Sequence, residues 1–539
     1  VQTPLQASEL PDILGNPATA ADHPLPDFSY AGYEFGNAPL PQIENVIDVA
    51  DFGAVPDDGK DDSAALIAAL KAAHYADGPV RVQLGSGRYI LTEILWIEKS
   101  GIVLAGVGMG DKGTELFMPR PLDQIDDGGA LKEIREYLIE NDKYERQPDA
   151  NLEVLFSEYS WSAGFIWTRF PGRRHATYLE RYDREPVVIT PITAGEEFTR
   201  QLTVADPGTL KVGDVLQIHW HNRDGPDGAL ITSMYGETDL KIGSRHWEKP
   251  DRPLVRQATR IEAINGNTVT IADPLLHSIN GDLPAYFAKW DHLSEVGIQD
   301  LALTFPENPY FGHHNESGFN GIYFTGVHNG WISNVRIADS DSGILTDDLA
   351  NVTIRNVVTE GDHTAHYSVH IGNVHNVLVE DLTVYNPTVH ALSFNTQSTK
   401  SVYKNATVWT TPTLDQHAGA NHQNLYDNVT VYVTPDRTAP DGTPMYDLYK
   451  AGGAGYWQPG HGRYNTTWNL NIQVTGGVAP DAPIMILAGS EGPDARVVGM
   501  HGNRDIRLTH VPEPYVEGHN APVTLVPSLY DYQLQRRNR

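Results

Sequence analysis

The sequence predicts an all-β chain wound as a parallel β-helix, and two periodicities carry the expectation. A short apolar strand following an Asn or Asp recurs at 300-DLAL, 334-NVRI, 356-NVVT, 381-DLTV, 405-NATV, 428-NVTV, 471-NIQV and 505-DIRL. Between Asn334 and Asn428 the intervals are 22, 25, 24 and 23 residues. A solenoid coil of three short strands has about this length. Asn or Asp tolerates the left-handed bend such a coil needs, while its side chain bonds the neighbour stacked on it. The second periodicity is a further strand in each coil: 322-IYF, 344-ILT, 369-VHI, 392-LSF and 425-LYD. Alternation sends the mostly apolar first and third residues inward and the middle residue outward. Ile344, Val369, Leu392 and Leu425 are therefore expected in one interior column.

The remaining elements follow in chain order. Residues 1–45, rich in Pro, Ala and Gly without periodicity, read as an extended arm. A β-helix domain follows over 46–515, and residues 516–539 form a C-terminal tail. Asp61, Asp62 and Ser63 stand before an Ala/Leu/Ile run, as an N-cap and first-turn acids should, so a helix is expected over 61–73. Its Leu66, Ile67 and Leu70 should face the core. Residues 79–91 alternate as a strand. Regular coils are interrupted at about 110–290, where 202-LTVADPGTLKVGDVLQIHW-220 and 260-RIEAINGNTVTIADPL-275 read as hairpins. The acidic stretch 120–150 has a helical pattern. No linker composition separates these insertions from the domain.

The segment 51-DFGAVPDDGKDDSAAL-66 resembles the N-terminal signature of the pectate-lyase-like superfamily. The resemblance implies a single-stranded right-handed parallel β-helix whose capping helix covers the open end. It also implies a carbohydrate groove along the turn-and-strand face. It does not select a chemistry, because lyases, hydrolases, epimerases and phage tailspikes share the fold.

Composition sets limits. A net charge of −30 over 539 residues disfavours duplex nucleic acid and anionic membrane as partners. With no cysteine, a disulfide framework, a thiolate metal site and a thiol nucleophile are all excluded. No apolar run is long enough to cross a membrane as a helix. A start at Val1 without a basic-then-apolar leader is read as a mature secreted or periplasmic protein. The tail lacks heptads, so a monomer is expected rather than an oligomer.

Chemistry concentrates in 359-TEGDHTAHYSVHIGNVHNVLVEDLTVYNPTVHALSF-394 and the turn that follows. The coil register gathers His366, His370, His390, His417, His422, Tyr323 and Tyr426 on one face with Asp341 and Asp415. His328 and His375 fall at another bend, which they should cap. Imidazole and phenol suit proton transfer near neutral pH. His370, His390, His422 and Tyr426 are thus the expected acid–base groups, with Asp415 orienting one imidazole. His366, His417 and Tyr323 line the substrate. Trp409, Tyr456 and Trp457 offer rings for sugar stacking. Arg463, Lys450 or the basic stretch 169–184 would neutralise a substrate carboxylate. No metal ligands are assigned and no cofactor is required, although a bound ion such as calcium is compatible.

These groups suit a polysaccharide lyase acting on a uronate polymer or oligosaccharide by β-elimination. A glycoside hydrolase, using a carboxylate pair such as Asp347 and Asp348 with His461, is the alternative. A β-helix that only binds glycan is the second.

Overall fold

The computed structural model describes residues 9–126, 157–173, 185–236, 253–417, 419–450, 452, 461–476, 479, 481–488 and 492–539. Strands stack coil upon coil into one parallel ladder of 26 strands, which turns around a continuous apolar interior. Each coil presents three faces. The first face aligns Ile322, Ile344, Val369, Leu392 and Leu414 in register, and Tyr449 follows. The second aligns Leu378, Val402, Leu425 and Thr466, and the third Thr383, Thr407 and Thr430.

The bends between second and third faces are the expected ones. Asp300, Asn334, Asn356, Asp381, Asn405 and Asn428 all adopt left-handed backbone, with φ between 50° and 59°. Their side chains form a ladder: Asn334 donates to Asp300 at 2.8 Å, Asn356 to Asn334 at 2.8 Å and Asn428 to Asn405 at 2.8 Å. Past Asn428 the bend residue is Asn469 rather than Asn471. Asp505 precedes a strand of a separate four-stranded sheet.

Leu425 departs from the expected column. The stretch 409–424, read as one long turn, contains a strand, Leu414–Gln416, that continues the first face. Leu425 then opens a second-face strand, Leu425–Asp427. On that face both sides of the sheet are covered, so alternation gives no phase. Leu378, Val402, Leu425, Trp468 and Val498 pack outward against Phe28, Leu529 and Tyr530, while Tyr403 and Tyr426 fill the interior.

The cover comes from both ends of the chain. The described part of the N-terminal arm is short helical turns laid across the second face, not a free extension. Asn351 donates to the Tyr30 carbonyl, and the Tyr33 amide donates to Thr353 Oγ1. Beside it lies the C-terminal helix Leu529–Arg537. Asp427 caps that helix, accepting from Ser528 Oγ at 2.6 Å and from the Leu529 and Tyr530 amides at 3.0 Å. Replacing Asp427 by Ala leaves those buried donors unanswered and should cost about 1–3 kcal/mol. Denaturant melts check this, and activity per folded molecule should not change.

Helix Ser63–Tyr75 covers the N-terminal end, two residues later than expected. Leu66, Ala69, Leu70 and Ala73 are buried in the solenoid core, and Ile67 is half-buried against it. Asp61 accepts from the Ser63 amide at 2.9 Å, and Asp62 instead ties Val55 and Ile90 together.

The insertion is a closed antiparallel barrel of six strands between Val188 and Ala288, with its own core. A Gly266-Asn267 turn closes its Asn265–Thr268 hairpin, and Gly266 supplies the positive φ of 59°. The barrel docks on the bend between first and second faces. There His375 meets Asp273 at 2.7 Å, and Asp348 accepts from Gln217 at 3.2 Å and Trp290 at 3.0 Å. His328 is buried at the same seam, against His292 and Trp290. These histidines fasten the barrel rather than merely capping a bend. Most of the helical pattern at 120–150 lies outside the described residues. Among the described residues no helix is long and apolar enough to cross a membrane.

Candidate active site

Parallel stacking on the first face brings three successive coils together. Strand Ala365–Ile371 pairs with Thr388–Phe394, setting Tyr367 beside His390 and His370 beside Ser393. The next strand sets Asp415 beside Ser393, and Lys450 follows Asp415. The outward row therefore runs His370, Ser393, Asp415, Lys450, with Asp415 where Tyr426 was expected.

Asp415 is the charged centre. Its side chain is fully buried, accepts from Ser393 Oγ at 2.6 Å, and lies 3.2 Å from His390 Nδ1 and 3.3 Å from His417 Nδ1. Burial alone would raise its pKa, but His390 and His417 together outweigh that and hold the carboxyl well below its usual range.

A loop of the preceding coil closes the other side. Within 305–319 it carries His313, His314 and Glu316. Asp341 anchors this loop, accepting from the Gly318 and Phe319 amides at 2.9 and 2.8 Å while meeting His363 Nε2 at 2.8 Å. Glu316 Oε1 stands 2.9 Å from His366 Nδ1, and His366 Nε2 is 3.0 Å from His313 Nε2. The backbone of His314 is left-handed (φ 70°), a strained geometry for a residue with a side chain.

Six imidazoles and one phenol thus form one cluster of contacting rings. The His366 and His390 rings are 5.3 Å apart, His390 and His417 4.6 Å, and His313 and His390 5.6 Å. Tyr367 stacks on His390 at 5.0 Å and meets His370 edge-on at 4.8 Å. Asn395 Nδ2 donates to the Tyr367 hydroxyl at 3.2 Å. His370 faces a small cavity of about 20 Å³, lined also by Trp161, Asn395 and Asp347. Burial, reinforced by neighbouring rings, lowers His313 to about 4 and His370 to about 3, and lowers His366 and His390 as well. Burial therefore favours the neutral form of these four imidazoles, in which a ring nitrogen can accept a proton or bind a cation.

Of the residues expected here, His366, His370, His390, His417 and Asp415 come together, with Lys450 next in the row. His422 does not. It lies at the barrel seam, with Nε2 2.8 Å from His277 Nε2, and His277 Nδ1 is 2.7 Å from Ser233 Oγ. Tyr426 crosses the solenoid interior and donates to the Leu392 and Asp415 carbonyls, both at 3.1 Å. Both follow from placing Leu425 on the wrong face. Tyr323 keeps its outward row but is buried beside Trp167, with rings 5.1 Å apart, four coils before Asp415. Trp409 is an exposed surface ring between Tyr385 and Tyr432, at 6.1 and 4.0 Å. Arg463 pairs with Asp494 at 2.6 Å, away from the cluster. Tyr456, Trp457 and most of 169–184 lie outside the described residues. Asp347 and Asp348, the carboxylate pair of the hydrolase alternative, part company: Asp347 is buried and accepts from Asn373, while Asp348 serves the barrel. His461 is buried behind the bend at Asn421.

His313, His314, Glu316 and Tyr367 were not foreseen. The available signal was the doublet His313-His314 with an acid two residues on, inside an insertion that no coil needs.

No family model matches the sequence, and no curated protein does. Solved structures do. The tailspike gp49 of Pseudomonas phage LKA1 is 14% identical over 87% of this chain and 78% of its own, with a TM-score of 0.46. The DFA-IIIase of Arthrobacter chlorophenolicus A6 without its lid is 12% identical over 88% and 93%, with a TM-score of 0.37. The A-module of the mannuronan C-5 epimerase AlgE4 of Azotobacter vinelandii is 12% identical over 89% and 97%, with a TM-score of 0.30. On its own strand order, the chain is a parallel β-helix.

Proposed function

We propose that this chain is a carbohydrate-active enzyme that cleaves a uronate-containing polysaccharide by β-elimination. The observation that carries the reading is the pairing of Tyr367 with His370 in a recess where the carboxylates are already engaged. Elimination needs a base for the proton α to the substrate carboxylate, an acid for the leaving oxygen, and a group facing that carboxylate. Tyr367 takes the first role as its phenolate: neutral His370, edge-on to it, accepts the phenol proton beforehand, and Asn395, which donates to the phenol oxygen, supports the charge left there. As its oxygen removes the proton, the carbon's electron pair forms the ring double bond and the bond to the departing sugar oxygen breaks. His370 then passes the proton it took from Tyr367 to that oxygen, and both residues end as they began. Lys450, next to Asp415 in the outward row, supplies the positive charge that faces the carboxylate.

Hydrolysis asks instead for two carboxylates opposed across the scissile bond. Glu316 and Asp415 are the acids at the cluster, and the side chains of both are buried against imidazoles, at 2% and 0% exposure. Asp347 and Asp348 diverge, one beside His370 and the other at the barrel. A polymer of this kind lies outside the cytoplasm, which agrees with a secreted or periplasmic protein.

Incubation with a panel of polyuronates should produce the ultraviolet absorbance of a conjugated unsaturated uronate. New reducing ends without that absorbance would favour the hydrolase, and binding with neither product would favour a non-catalytic β-helix.

A further inference from the structure

We infer that His390, Asp415 and His417 hold a divalent transition-metal ion of the zinc class. The three offer one donor atom each, all within 4.8 Å of one another. The Asp415 oxygens stand 3.2 and 3.3 Å from the two Nδ1 atoms. Ligands bonded to one tetrahedral ion at 2.0–2.1 Å lie about 3.3 Å apart, so each imidazole already stands at that distance from an oxygen of Asp415, one from each oxygen.

His390 supplies an independent observation. It is only 7% exposed, yet neither ring nitrogen has a hydrogen-bond partner, and its Nδ1 is close to Asp415 without being aligned to bond it. A buried polar ring left in that state is costly unless something takes its lone pair. The neighbouring His313, His314 and His366 could also chelate, but there one nitrogen of His366 is already partnered, whereas neither nitrogen of His390 is. His366 Nδ1 faces the Glu316 carboxylate, and its Nε2 and His313 Nε2 are a hydrogen-bonding distance apart. Those rings form the wall facing the ion, and Ser393 steadies the ligating carboxylate from behind.

The donor set selects the metal. Imidazole nitrogens suit zinc, nickel, copper and iron, whereas calcium takes six to eight oxygens. Two neutral imidazoles and one carboxylate leave a bound divalent ion with net positive charge. Half-buried His417 and exposed His313 mark the open side, through which a fourth ligand enters. For the role of the ion this inference rests on the lyase reading: a fixed positive charge beside Lys450 would face the substrate carboxylate.

Cobalt(II) is the probe, added to the full chain after stripping with a chelator and dialysis. One equivalent should bind, with visible bands of four- or five-coordinate cobalt, and excess calcium should not displace it. His417→Ala and His390→Ala should each weaken binding at least about tenfold. His501→Ala, distant from the cluster, should not. Circular dichroism and melting curves confirm that each variant is folded, and half-buried His417 is the safer position. No cobalt bound by folded wild type, or unchanged binding by folded His417→Ala, would overturn the inference. Loss of binding in His313→Ala with retention in His417→Ala would also overturn it, placing the ion on the other triad. Binding without elimination on any polyuronate would sink the lyase reading and leave the metal site standing; elimination undiminished in metal-free protein would leave the lyase reading standing and remove the ion's role in it.

Discussion

Tyr367→Phe should lower turnover on a polyuronate by about 10²–10⁴, the usual cost of removing a general acid or base. The ring stays, so its stacking on His390 and its contact with His370 should persist. Only the hydroxyl goes, and Asn395 loses an acceptor. The melting temperature should therefore move little while kcat collapses and KM holds. Full activity in this variant would remove Tyr367 from the chemistry and return the role of base to an imidazole.

Asp415→Ala should have the next largest effect, on activity and stability together. This carboxylate is enclosed, accepts from Ser393 and stands against His390 and His417. Removing one partner from a buried charged network typically costs about 3–5 kcal/mol. The loss should appear as a lower denaturant midpoint with an unchanged slope. Turnover should fall by at least about a hundredfold, because both imidazoles lose their anchor. Asp415→Asn, which keeps the shape, should recover much of the stability and little of the activity. If the Asn variant were as active as wild type, Asp415 would be only a packing element.

How far the sequence could be read follows from what each residue must satisfy. The Asn and Asp bends were legible because left-handed backbone and a stacked side-chain ladder favour those two residues, whatever surrounds them. The first face was legible through Leu392 because its inner column must be apolar. Leu414 was not, since Leu414–Gln416 carries one apolar residue between Thr413 and His417 and shows no alternation. Skipping it moved Leu425 onto the wrong face and took Tyr426 and His422 with it. The second face concealed its phase because the arm and the C-terminal helix make its outer side apolar too. That cover is tertiary, and a Pro- and Ala-rich arm has no period to announce it. The loop at 305–319 was passed over for a related reason: it is held by Asp341 and His363 from the next coil, a contact no local pattern encodes. Five of the site residues could be placed because a coil repeat brings every copy of a position onto one surface.

The central claim is that carbon–oxygen cleavage proceeds by elimination at the Tyr367–His370 recess, and mass spectrometry of products formed in heavy-oxygen water tests it most directly. The account predicts unsaturated oligosaccharides, each lighter by one water than its hydrolytic counterpart and carrying no label. Saturated products with heavy oxygen at the newly formed end would contradict it and assign the groove to hydrolysis.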